Sequence, residues 1–209
     1  MDDREFIEES IRALEESVRS FAPENKAEGE LWVAKAFLEN LRIPFEAEEL
    51  KSSNDEPPDV LFRDARFEIK EIMDPGRKRH LEYRRALERA RRATSVRELF
   101  DTFRPTDTSI QAVYELCLAQ VALLEKKYAP AVRASLDLLF YINLQRVVGL
   151  KEAPYPDVES MASAGWRSVS FVKGQRSCCF FAADGAPRFI AGAVGRISHL
   201  HPAIRSTRP

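Results

Sequence analysis

At 209 residues, with 44% hydrophobic and 31% charged side chains, the chain can bury a sizeable core in one domain and is neither a disordered polyelectrolyte nor a fibrous repeat. It holds no run near the roughly 18 apolar residues of a membrane helix, and Met1 to Glu5 lack the basic-then-apolar layout of a secretion signal, so a cytoplasmic protein is expected. The net charge of −1 hides an asymmetry: residues 1–56 are acidic, residues 74–104 are rich in arginine, and beyond Trp166 the bases face the single acid Asp184.

Such a division suits a molecule that holds a polyanion on one side, although composition alone fits a solvated charged helix equally well. The three cysteines, with Cys178 and Cys179 adjacent and Cys117 in a helical pattern, give neither a disulfide framework nor a CxxC metal site. Buried reduced thiols are the expectation.

Residues 2–21 read as an amphipathic helix with Ile7, Ile11, Leu14, Val18 and Phe21 on one narrow stripe, which either packs on the body or pairs with a second copy in a homodimer. Pro23 suits the first turn of a second helix, with Leu31, Ala34, Leu38 and Leu41 on its apolar side, ending near Pro44. Residues 45–50 alternate as a strand, and residues 59–63 and 66–72 form a hairpin around Asp64 and Ala65. Asp74 and Pro75 look like the cap and first turn of an arginine-rich helix to about residue 93, followed by a short helix at 95–103 and a long one at 107–128. Residues 136–144, LDLLFYINL, fit a strand buried on both faces. Residues 151–165 read as a loop, and strands are expected at 168–172, 178–182 and 188–191.

The whole reads as a single domain over 1–209. Residues 1–21 are an N-terminal helix, 22–144 a core with a helical insertion at 95–128, 166–191 additional strands, and 199–209 a flexible tail.

The hairpin carries the chemistry. With Asp64 and Ala65 at the turn, Leu61 opposes Glu68 and Asp59 opposes Lys70; Val60, Phe62, Phe67 and Ile69 fill the other, apolar face. Two carboxylates on one face repel unless a cation lies between them. Mg²⁺ is such a cation, using one or two carboxylates and leaving its other positions to water and phosphate. A neighbouring lysine can orient the attacking water or stabilise charge on the phosphoryl oxygens.

These residues, Pro58-Asp59, eight intervening residues, then Glu68-Ile69-Lys70, resemble the PD-(D/E)XK, or restriction-endonuclease-like, nuclease superfamily. The resemblance implies an α/β (α+β) fold with a central mixed sheet flanked by helices: a helix, three antiparallel strands, a helix and a further strand, here with an extra N-terminal helix and a helical insertion. It implies that Asp59, Glu68 and the Ile69 carbonyl hold Mg²⁺ (or Mn²⁺), that Lys70 assists the water, and that Glu30, with Glu28 as competitor, is an additional catalytic acid. More narrowly, the whole chain resembles a small bacterial family of uncharacterised proteins labelled endonucleases.

The expected function is therefore Mg²⁺-dependent hydrolysis of phosphodiester bonds in DNA, with RNA second. Arg77, Lys78, Arg79, Arg84, Arg85, Arg91 and Arg92 would contact phosphates without reading bases. The alternative is a noncatalytic interaction or oligomerisation protein that keeps the fold, and a third is a phosphoesterase for small nucleotides. Trp32 and Trp166 read as packing residues, Glu71 has the wrong strand parity for the site, and His80, His199 and His201 lack metal-ligand spacing.

Overall fold

A computed structural model describes residues 2–20, 25–100 and 104–200. The described residues form, in order, α1 (Asp3–Ser20), α2 (Lys26–Asn40), β1 (Leu50–Ser52), β2 (Val60–Phe62), β3 (Ala65–Met73), α3 (Arg79–Arg92), β4 (Thr106–Ser109), α4 (Ile110–Leu124) and α5 (Pro130–Arg133). They continue with β5 (Asp137–Asn143), β6 (Val147–Lys151), α6 (Glu159–Ala162), β7 (Ser168–Lys173), β8 (Arg176–Ala182), α7 (Arg188–Ala191) and β9 (Ile197–His199).

Seven strands make one mixed sheet in the order β1-β2-β3-β5-β7-β8-β9. Its middle, β3, β5 and β7, is parallel, and the hairpins on either side are antiparallel. Parallel strands are covered on both faces and so are apolar throughout, which is why Leu138, Leu139 and Phe140 are all fully buried. One face packs Leu138, Phe140 and Phe171 against Val113, Cys117 and Val121 of α4. The other packs Phe67, Ile69 and Leu139 against Val33, Phe37 and Leu38 of α2 and Ile190 of α7. The fold is thus a mixed α/β arrangement with helices on both sides of a central mixed sheet. All three cysteines are buried and free.

The hairpin differs from expectation by a register of two. Val60 opposes Phe67 and Leu61 opposes Arg66, so the turn is Arg63 and Asp64. Ala65 is fully buried and joins the strand, while Arg63, at φ 52°, is tied by its guanidinium to Glu49 at 2.8 Å and the Pro44 carbonyl at 2.9 Å. A shift of two leaves every side chain on its expected face.

Other expectations are corrected. Residues Ala47–Glu49 form a 3₁₀ turn, and the strand expected at 45–50 begins at Leu50. Helix α3 starts at Arg79, because the Asp74 carboxylate accepts from the Gln145 N–H at 2.6 Å and leaves the α3 amides alone. The helix expected at 107–128 is preceded by β4, a polar strand that pairs in parallel with β6 in a small second sheet. Residues 188–191 are helical with Pro187 at the N-cap, and Val96–Leu99 is a 3₁₀ turn. His199 ends β9 beside β8 and does not belong to a tail; residues 201–209, Phe21, Pro23 and residues 101–103 lie outside the described residues. Helix α1 packs on the body along α3: Ile7 is buried, Ile11, Leu14 and Val18 are partly buried, and Glu15 bonds Arg91 at 2.7 Å.

Candidate functional site

Strand β2 begins only at Val60, so beyond Phe67 the β3 edge facing β2 has no further ladder partner there, and a side chain takes the place of a strand. Asp59 N–H donates to the Phe67 carbonyl at 2.9 Å, and Asp59 Oδ2 accepts from the Ile69 N–H at 2.8 Å. That pair of bonds fixes the Asp59 carboxylate, only 6% exposed, beside Glu68, only 3% exposed.

Lys70 closes the group. Its Nζ lies 2.5 Å from Glu68 Oε1, 2.9 Å from the Ile69 carbonyl oxygen and 3.5 Å from Asp59 Oδ2. Three oxygens from Asp59, Glu68 and Ile69 therefore surround one positive charge. Glu68 Oε1 also accepts from the Tyr128 hydroxyl at 2.5 Å.

Helix α2 brings the second half. Lys26 Nζ lies 3.0 Å from Glu30 Oε1, 3.2 Å from Asp59 Oδ1 and 3.3 Å from Glu56 Oε1. Asp59 is thus held between two ammonium groups, one at each oxygen. Glu30 is the helix acid that reaches the site, whereas Glu28 is exposed and makes no contact with Asp59 among the described interactions.

The electrostatics follow from these neighbours. Burial alone would raise the Asp59 carboxyl, but the Lys70 charge, the Ile69 amide and Lys26 outweigh it and hold Asp59 below the usual range. Glu30 goes the other way: burial and then the Asp59 charge push it up to about 6, against the pull of Lys26. Burial works against the Lys26 charge, yet Glu30 and Asp59 raise its pKa. Burial, then the bond to Glu68, raises the Tyr128 hydroxyl, which keeps it a donor. At neutral pH the site combines ionised Asp59, charged Lys26, protonated Tyr128 and a Glu30 poised to exchange a proton.

Sequence reasoning missed Lys26, Tyr128 and Glu56. Lys26 carried a signal, its i,i+4 spacing to Glu30; Tyr128 carried none, because it reaches Glu68 from 60 residues away.

The basic residues divide. Arg77 bonds Glu82 through Nε and the Asn143 carbonyl through Nη1, Arg79 bonds Glu71 at 2.7 Å, and Arg91 bonds Glu15. Lys78, Arg84, Arg85 and Arg92 are exposed on or just before α3. Glu71, from the opposite face of β3, holds Arg79 and Asn143.

A cavity of about 830 Å³ opens beside the site, with Lys26, Glu30 and Lys70 on its wall. Trp32 lies on the same wall, where it packs an edge contact with Tyr141 and leaves 52% of its surface exposed, unlike Trp166 at 1%. Among the described residues no three His, Cys, Asp or Glu side chains gather as a metal cage, and no helix is long and apolar enough to cross a membrane.

Among curated proteins none matches this chain. A solved structure from Pseudomonas aeruginosa, described as a protein of unknown function of the monooxygenase superfamily, is 25% identical, with a TM-score of 0.66 over 97% of this chain and 98% of that one. Residues 2–206 match the family described as "Putative endonuclease, protein of unknown function (DUF1780)". With nearly its whole length matched, the chain belongs to that family.

Proposed function

We propose that the chain is a Mg²⁺-dependent endonuclease of the PD-(D/E)XK type that hydrolyses phosphodiester bonds in DNA rather than RNA. The observation that carries this reading is the convergence of Asp59 Oδ2, Glu68 Oε1 and the Ile69 carbonyl on one cation, the Lys70 ammonium. The donor set suits a hard divalent ion that takes one or two carboxylates and completes its shell with water and phosphate. The order α2, β1-β2-β3, α3, β5 and the family description support the same reading. The monooxygenase description belongs to the solved relative and is not carried over.

Asp59, Glu68 and the Ile69 carbonyl would hold the ion, which when bound supplies Lewis-acid stabilisation and an activated water. Lys70 Nζ, within reach of the same oxygens, would orient the attacking water or donate to a phosphoryl oxygen as charge grows there. Glu30, its carboxyl pushed up to about 6, would take or return a proton at the attacking water. Lys26 and Tyr128 keep Asp59 and Glu68 aimed. Lys78, Arg84, Arg85 and Arg92 contact phosphates and position the backbone.

The test is calorimetry with Mg²⁺ and Mn²⁺ on the wild type beside the Asp59→Ala/Glu68→Ala double variant, with DNA cleavage assayed in parallel. Ion binding and cleavage that both vanish in the variant are expected. Absence of ion binding in the wild type, with oligonucleotide present, sinks the proposal in favour of a noncatalytic interaction protein on the same fold.

A further inference from the structure

The cavity beside the site has a composition that a double helix does not explain. Its walls carry carboxylates as well as bases: α1 contributes Glu16, and α2 contributes Glu28 next to Lys26 and Trp32. A groove that only tracks a phosphate backbone is largely basic, and the acids on this wall call for a second kind of contact. Its cations are Lys26 and Lys70, which meet at Asp59, and Arg79, which is paired with Glu71. The same wall carries an exposed aromatic ring, Trp32.

Trp32 is held in place rather than loose. Its ring meets Tyr141 of β5 edge to face, with centroids 5.3 Å apart and planes at 79°, and it still exposes 52% of its surface. An edge contact fixes the ring and leaves area for a third partner to stack. An indole fixed this way beside a cavity is a platform for a flat ring, and every nucleobase offers one. At about 830 Å³ the cavity falls within the range of small-molecule sites, about 300–1,000 Å³, so it can take a nucleobase with its sugar. In a duplex the bases are paired and stacked on one another and cannot enter such a space without leaving the helix. Glu16 and Glu28 can accept hydrogen bonds from exocyclic amino groups, which phosphates cannot offer.

We infer that this cavity takes one unpaired nucleobase stacked on Trp32, its phosphate directed to Lys26 and Lys70, so that the substrate is single-stranded or frayed DNA rather than intact duplex. The inference rests on the endonuclease reading for the placement of the scissile phosphate, but the base site itself is defined by Trp32.

The experiment measures fluorescence quenching and affinity without divalent metal, using a short mixed-sequence single strand, a blunt hairpin duplex of the same sequence, and deoxynucleoside monophosphates. Trp166, fully buried, supplies a constant background. The single strand is expected to quench the wild type and to bind about ten- to hundredfold more weakly to Trp32→Ala, with Trp32→Phe close to wild type and duplex affinity unmoved. Trp32 is exposed, so neither variant threatens the core. Single-strand affinity unchanged in Trp32→Ala overturns the inference, and monophosphates that bind as tightly as the strand overturn the assignment to polynucleotide. A wild type that binds the single strand through Trp32 yet cuts no DNA with Mg²⁺ upholds the base site and counts against the endonuclease reading alone.

Discussion

Glu30→Gln should make the protein more stable at neutral pH, although it removes a charge that faces a lysine. The Glu30 carboxyl is pushed from the ordinary 4.5 to about 6 by burial and by Asp59, so the folded chain binds its proton more tightly than the unfolded chain does. Stability is therefore undiminished by Glu30 below pH 4.5, falls as the pH rises through the window up to about 6, and stays reduced above it. A rise from 4.5 to about 6 corresponds to about 2 kcal/mol, of which water in the adjoining cavity screens part, leaving ~1 kcal/mol. Glutamine keeps an oxygen for Lys26, whose Nζ is 3.0 Å from Glu30 Oε1, so the contact survives while the charge goes. Urea unfolding of both proteins across this pH range should show Glu30→Gln gaining ~1 kcal/mol on the wild type between about pH 4.5 and 6.5 and no more above. A difference that does not change with pH, or one that favours the wild type as pH rises, refutes the account of Glu30 as an acid kept at a cost to the fold.

Tyr128→Phe removes the hydroxyl that donates to buried Glu68 and should cost about 1.5–3 kcal/mol in chemical denaturation at neutral pH; an unchanged midpoint would show that Lys70 alone satisfies Glu68. Asp137 accepts from Arg167, from the Ser168 hydroxyl at 2.8 Å and from the Arg66 N–H at 2.9 Å while 1% exposed. Its replacement by alanine strands the Arg167 guanidinium, and thermal unfolding should report a loss of about 3–5 kcal/mol. Reversing Arg84 and Arg85 to glutamate should weaken DNA binding and flatten its dependence on salt by roughly two phosphate contacts. If anisotropy titrations give the same salt slope, α3 is not the phosphate-binding face.

The acid cluster was legible in the sequence because the period of a strand is two. Placing the turn at Asp64 and Ala65 instead of Arg63 and Asp64 shifted the register by two residues and left Asp59 and Glu68 on their shared face. The buried strand at 136–144 was legible for a similar reason, since continuous hydrophobicity over that length admits few alternatives. What escaped depended on partners distant in sequence. Strand β4, Thr106–Ser109, is polar and short, and only its pairing with β6 makes it a strand. The Asp74 carboxylate had the chemistry of a helix cap and was claimed instead by the Gln145 amide. Trp32 looked like core because large aromatics usually are, and only the position of α1 along α3 shows the ring bordering a cavity.

The Lys70 ammonium between Glu68 and Asp59 gives the fold a resident counter-ion. Small zinc domains unfold when their metal is withdrawn, because nothing else neutralises the ligands. Under the proposed chemistry a divalent ion would enter by exchange, displacing a single positive charge with a double one. A fold whose acids are already paired would then outlast metal starvation, and on that reading the supply of metal would govern chemistry without governing the survival of the protein.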